Sequence, residues 1–109
     1  MATIEPKHHQ LVLPDRYLKM VIDTLKTTLP GVEVWAYGSR VNGSCYEASD
    51  LDLVVHGQHG EQIPYGQLDS AKDAFVEGNL PIIVQLVDWS SIPETFRREI
   101  EAGYVVIQR

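Results

Sequence analysis

Two apolar stretches, V-E-V-W-A-Y (32–37) and L-D-L-V-V (51–55), are joined by a polar connection that opens on Gly38 and closes on Asp50. Both stretches carry strand-type patterning, with Val32, Val34 and Ala36 on one face of the first and Leu51, Leu53 and Val55 on one face of the second. Residues 39–46 are too short and polar for a full helix, although they can hold a turn or two. Such a strand–turn–strand unit has to bury its apolar face under other elements. The flanking sequence supplies them.

Upstream, Leu18, Val21, Ile22, Leu25 and Leu29 recur at helical spacing, with Asp15 suited to the first turn and Pro30-Gly31 as the stop. Downstream, Leu68, Ala71 and Phe75 indicate a second long helix closed by Gly78-Asn79. Residues 80–87 (L-P-I-I-V-Q-L-V) are apolar on both faces apart from Gln85, which predicts a central strand covered on both sides. Ser91 and Glu94 have capping-box spacing ahead of a helix with Ile92, Phe96 and Ile100 on one face. Gly103 fits the position just past its end, and Tyr104 to Ile107 form a last strand. Residues 1–13 show no period and are expected to be a loose N-terminal arm before a domain over 14–109. The order α-β-(α)-β-α-β-α-β predicts an α/β (α+β) fold, a small mixed sheet of about four strands with helices packed on it.

At 109 residues the chain has room for one domain with one modest core. It lacks the run of about 18 apolar residues that a membrane span needs, and its start carries Glu5 and Pro6 where a signal peptide would be apolar. A single cysteine makes a reducing cytoplasm the expected compartment. The formal charge of −6 argues against direct binding to a nucleic-acid backbone, though not against a nucleotide, because a divalent cation inverts the local sign.

The chemistry-bearing residues lie at the two ends of the polar connection. In a strand, residues two apart project from the same face, roughly 6.5–7 Å apart, so Asp50 and Asp52 point together. Like charges so placed repel, and a hard cation removes the objection: Mg²⁺ is commonly held by one or two carboxylates, with water and substrate phosphate completing its shell. Gly38 lets the backbone approach a ligand closely, and Ser39 adds a hydroxyl donor. Phosphate on one side and metal on the other is what phosphoryl or nucleotidyl transfer requires.

V-W-A-Y-G-S-R-V-N-G-S followed by S-D-L-D-L-V-V resembles the signature of the DNA polymerase beta-type nucleotidyltransferase superfamily, and within it the minimal nucleotidyltransferases called MNT proteins. The resemblance covers nearly the whole chain, including V-Q-L-V-D-W and the closing E-A-G-Y-V-V-I. It implies the nucleotidyltransferase fold, with ATP as substrate, Mg²⁺ as cofactor and transfer of AMP. It also implies a helical HEPN-type protein partner, in some members the acceptor through a tyrosine, and a toxin–antitoxin pairing. Asp50 and Asp52 would be the catalytic, metal-binding acids, with Gly38, Ser39 and Arg40 binding the nucleotide.

In one place the pattern departs. The superfamily supplies a third carboxylate from a later strand, and here that position is Gln85. An amide can coordinate through its carbonyl but is a poor base. Asp88, three residues on, belongs to the opposite strand face. Two outcomes follow: catalysis with two acids, or a nucleotide-binding antitoxin module with weak or no transfer. Other candidates carry less. Arg40 is either a phosphate-facing cation or a solvated turn residue, and Asn42-Gly43 suits turn chemistry. His56 and His59 have an H-x-x-H spacing without a second Cys/His pair for zinc. Cys45 reads as a small apolar residue, His8-His9 as incidental, and Trp35 and Tyr37 as packing under a helix rather than flanking an adenine.

Overall fold

The computed structural model describes residues 10–109. The elements run α1 (Asp15–Thr28), β1 (Glu33–Tyr37), a single helical turn α2 (Ser39–Asn42), β2 (Leu51–His56), α3 (Tyr65–Glu77), β3 (Val84–Asp88), α4 (Glu94–Glu101) and β4 (Tyr104–Gln108). Short 3₁₀ turns lie at Gln58–Gly60 and Trp89–Ser91. The four strands form one mixed sheet in the order β3-β2-β1-β4. β1 is antiparallel to both β2 and β4, while β2 and β3 run parallel, joined through α3.

Alternation along the strands sends two sets of side chains to opposite faces. Val34, Ala36, Leu51, Leu53 and Val55 meet Val21, Leu25, Leu68, Ala71 and Phe75 of α1 and α3 in the main core. At roughly 1.5–3 kcal/mol for each fully buried large aliphatic side chain, this face supplies most of the driving force. The other face carries Tyr37 and Val54, with Trp35 and Val87, under Phe96 and Ile100 of α4. The α1–β1 turn contains Gly31 at φ 75° and is fastened by Gln108, whose Nε2 donates to the carbonyls of Leu29 and Val32 at 2.8 Å each.

Three expectations change here. The late apolar run is an edge strand, not a central one, and it pairs only from Val84. Pro81 has no N–H to give a ladder, so Leu80 and Ile82 pack against the core as lead-in while Ile83 stands 63% exposed. The Ser91/Glu94 capping box does not form. Pro93 precedes α4 and leaves it without a side-chain cap. The cap that does form belongs to the 3₁₀ turn Trp89–Ser91, where the Asp88 carboxylate accepts from the backbone N–H and hydroxyl of Ser90 at 2.9 and 2.7 Å. Of the expected arm over 1–13, residues 1–9, with His8-His9, lie outside the described residues. Leu11 and Leu13 pack against the core, and the Val12 N–H donates to the Arg40 carbonyl at 2.7 Å.

Candidate active site

The site forms where β1 and β2 end beside each other. Tyr37 is the register partner of Asp52, and Asp52 in turn pairs with Gln85 of β3. Asp52, Gln85 and, just ahead of β2, Asp50 therefore share the sheet face that α4 leaves open at this end. Gln85 donates from Nε2 to Asp50 Oδ2 at 3.1 Å. The residue read as a possible third position thus reaches the acid pair, as a neutral donor. Asp88 does not: it is buried and accepts from the Ile63 backbone N–H at 2.8 Å as well as from Ser90.

Gly38 makes the close approach possible. It sits at φ 83°, ψ −152°, a conformation that L side chains rarely adopt, and a Cβ there would lie 2.7 Å from Asp52 Oδ2. The carboxylate lies against the face that a side chain would occupy. Beyond it, Ser39, Tyr46, Ala48, Ser49, Asp50 and Asp52 line an open cavity of about 330 Å³. Burial, and secondarily the charge of Asp50, raises the Asp52 carboxyl above its usual range. Burial and the Asp52 charge push the Tyr37 phenol up to about 12, so it remains a protonated donor at neutral pH.

Arg40 does not join this group. It is 4% exposed, and its Nε, Nη1 and Nη2 donate to the carbonyls of Ser49 (3.0 Å), Val12 (2.9 Å), Glu47 (2.9 Å) and Tyr46 (3.5 Å). Those bonds take four of its five N–H donors. Its place is under the 44–49 loop, which it clamps to the N-terminal segment, and not in the acid-lined cavity. Tyr46 and Ser49, which sequence reasoning passed over, rim the cavity because this clamp holds their backbone there. The signal available for them was position alone, between the glycine turn and the acids.

A cation is the natural complement to the acid pair. Two carboxylates converge on one polar cavity, and the proximity of Asp50 penalises charge on Asp52. Among the described residues no group of three or more His, Cys, Asp and Glu forms a closed metal cage. The donor set fits an oxygen-liganded ion that keeps water or phosphate in its shell, as Mg²⁺ does. His56 and His59 make no such site. His56 lies between Trp35 and Trp89, with ring centroids at 4.1 and 4.7 Å, and burial lowers its pKa against the opposing charges of Glu33 and Asp88. Trp35 and Tyr37 pack as expected, Trp35 stacked on Tyr104 at 3.9 Å and Tyr37 edge-on to Phe96 at 5.7 Å.

Comparison with known proteins adds identity to this geometry. A probable protein adenylyltransferase MntA from Haemophilus influenzae is 40% identical over 99 residues, covering 91% of this chain and 85% of that one. Among solved structures, a chain from a toxin–antitoxin crystal structure with AMP-PNP superposes with a TM-score of 0.67. It covers 88% of this chain and 73% of its own length at 18% identity, a likeness of fold. Residues 18–107, which hold all of the sheet but the last residue of β4, match the nucleotidyltransferase domain family, and the chain belongs to that family as a nucleotidyltransferase.

Proposed function

We propose that the protein transfers AMP from Mg²⁺-ATP to a hydroxyl of a protein acceptor, a helical HEPN-type toxin that it thereby neutralises. The single observation that carries this reading is the convergence of Asp50 and Asp52 on one polar cavity beside Gly38 and Ser39. Support for the acceptor class comes from the Haemophilus influenzae relative, named as a probable protein adenylyltransferase, and from the toxin–antitoxin fold neighbour with AMP-PNP. ATP as substrate fits a cytoplasmic setting, and no helix among the described residues is long and apolar enough to cross a membrane.

Asp50 and Asp52 would hold the metal, whose chemistry when bound is to neutralise phosphate charge and activate the transferring group. Ser39 offers its hydroxyl to phosphate oxygens, and Gly38 leaves room for the chain to pass close. The acceptor oxygen forms a bond to the α-phosphorus as the bond to pyrophosphate breaks. The displaced proton goes to a carboxylate of the pair or to solvent, because Gln85 has no basic atom. Gln85 instead steadies Asp50 through its amide.

That same hydrogen bond favours a second reading, an antitoxin that binds nucleotide and neutralises its partner by association, with weak transfer or none. Mass spectrometry of the co-expressed partner separates the two. Adenylyl additions that vanish with Asp52→Ala support transfer; neutralisation that survives both Asp50→Ala and Asp52→Ala supports binding alone.

A further inference from the structure

Three cavities follow one another along the acid end of the sheet. The largest, about 630 Å³, is bounded by Val12, Tyr17, Tyr46, Pro81 and Ile82 and meets the acid-lined cavity at Tyr46 and Ala48. On the far side of the acids, a cavity of about 410 Å³ lies between Tyr37, Gly38 and Asn42 and the last turns of α4 at Phe96, Glu99, Ile100, Ala102 and Gly103. Gly38 is the wall shared by this cavity and Asp52.

Resting on the transfer reading above, we propose that the cavity under α4 receives the nucleoside of the bound nucleotide and that Glu99 recognises its hydrogen-bond donors. The α-phosphorus has to sit at the acids, so the phosphate tail and the nucleoside leave on opposite sides of Asp52. The side with Ser39, Ser49 and both aspartates suits the phosphates. The side with Phe96, Ile100 and Ala102 suits a base, and its volume falls within the range of roughly 300–1,000 Å³ usual for small-molecule sites. The 630 Å³ groove is a poorer choice, because it joins the acid cavity across the 44–49 loop, beyond the phosphate side.

Glu99 is the polar group that gives this cavity selectivity. It is exposed on α4, and among the described residues no Lys or Arg pairs with its carboxylate. An ionised carboxylate only accepts, so it matches the ribose hydroxyls or an exocyclic amine and repels phosphate. Asn42 cannot fill the same role through its Oδ1, which already accepts from the backbone N–H and hydroxyl of Ser44 at 2.9 and 2.7 Å.

Calorimetry on the full chain, with Mg²⁺-ATP and with Mg²⁺-tripolyphosphate, tests this. Glu99→Ala and Ala102→Trp should each weaken ATP about tenfold or more while tripolyphosphate stays within about twofold of wild type. Loss of the wild-type preference for ATP over 2′-deoxy-ATP in Glu99→Ala assigns the contact to the ribose; loss of preference over ITP assigns it to the base amine. Equal losses for both ligands, or none, overturn the proposal, as does an ATP-selective loss in Tyr46→Ser instead. A raised KM for the acceptor protein with unchanged ATP affinity hands the cavity to the acceptor and also overturns it. If wild type binds neither ligand, the transfer reading itself fails. Should Ala102→Trp not fold, Glu99→Ala, on an exposed position, decides alone.

Discussion

Gly38 concentrates two requirements in one position: a positive φ and an empty face against Asp52. Gly38→Ala violates both, so the Asp52 carboxylate must swing away. Transfer should fall at least about 10²-fold while stability drops by about 1 kcal/mol, read by AMP incorporation and thermal melting. An alanine variant that kept full activity would mean Asp52 works from another rotamer. Gln85 is the converse case, where the residue present is chemically weaker than the one the position could hold. Opposite Asp52 and within 3.1 Å of Asp50, Gln85→Asp introduces a proton acceptor beside the acids. Transfer should rise toward 10²-fold, with a new acidic limb in the pH–rate profile. Arg40 is a third case. Removing it as Arg40→Met leaves carbonyls of Val12, Glu47 and Ser49 without donors and should cost about 2–4 kcal/mol. A phosphate ligand would instead give unchanged melting and weaker ATP binding.

At the scale of elements, much of the architecture was legible because period and punctuation agree. The 3.6-residue stripe of α1, the Pro30-Gly31 stop and the alternation in β1 and β2 each have one reading, and the structure follows them. The late strand misled because hydrophobic content reports burial, not position in the sheet. Leu80 and Ile82 earn their apolar character outside the ladder, and Pro81 was the neglected warning. The buried place of Arg40 was not legible for a related reason: its partners are main-chain carbonyls contributed by a loop and by residue 12, and no side-chain pattern encodes those. The aromatic wall of Trp35 and Trp89 around His56 carries its own prediction. Nε2 of His56 is buried without a partner, and burial holds the imidazole below its usual pKa despite Glu33 and Asp88. The folded state therefore binds fewer protons than the unfolded state once pH falls below about 6.5, and stability declines from there toward the depressed folded value. Melting temperature should fall between pH 7 and pH 5, and His56→Phe should flatten that slope. An unchanged slope would place the acid sensitivity elsewhere.

Across the whole molecule, the acids, the open cavities and several exposed apolar side chains gather at one end. Tyr46 is 72% exposed at the rim of the acid cavity, and Ile83 stands beside the start of β2, its carbonyl accepting from the Leu51 N–H at 2.9 Å. A chain of charge −6 has ample polar surface with which to cover its active end, yet leaves apolar groups there. The proposed transfer to a protein would supply the reason, because the acceptor would bring its hydroxyl to the acids and in doing so cover this rim. The rim then acts on the acceptor and not on the nucleotide. Tyr46→Ser and Ile83→Ser should together raise the KM for the acceptor about tenfold or more, since each removes apolar area from the joint surface. Melting temperature and ATP affinity should stay at wild-type values, because neither side chain belongs to the core. Steady-state kinetics with acceptor and ATP varied in turn makes the comparison. A loss confined to ATP would instead put this rim on the nucleotide's path and move the acceptor's approach to the opposite side of Asp52.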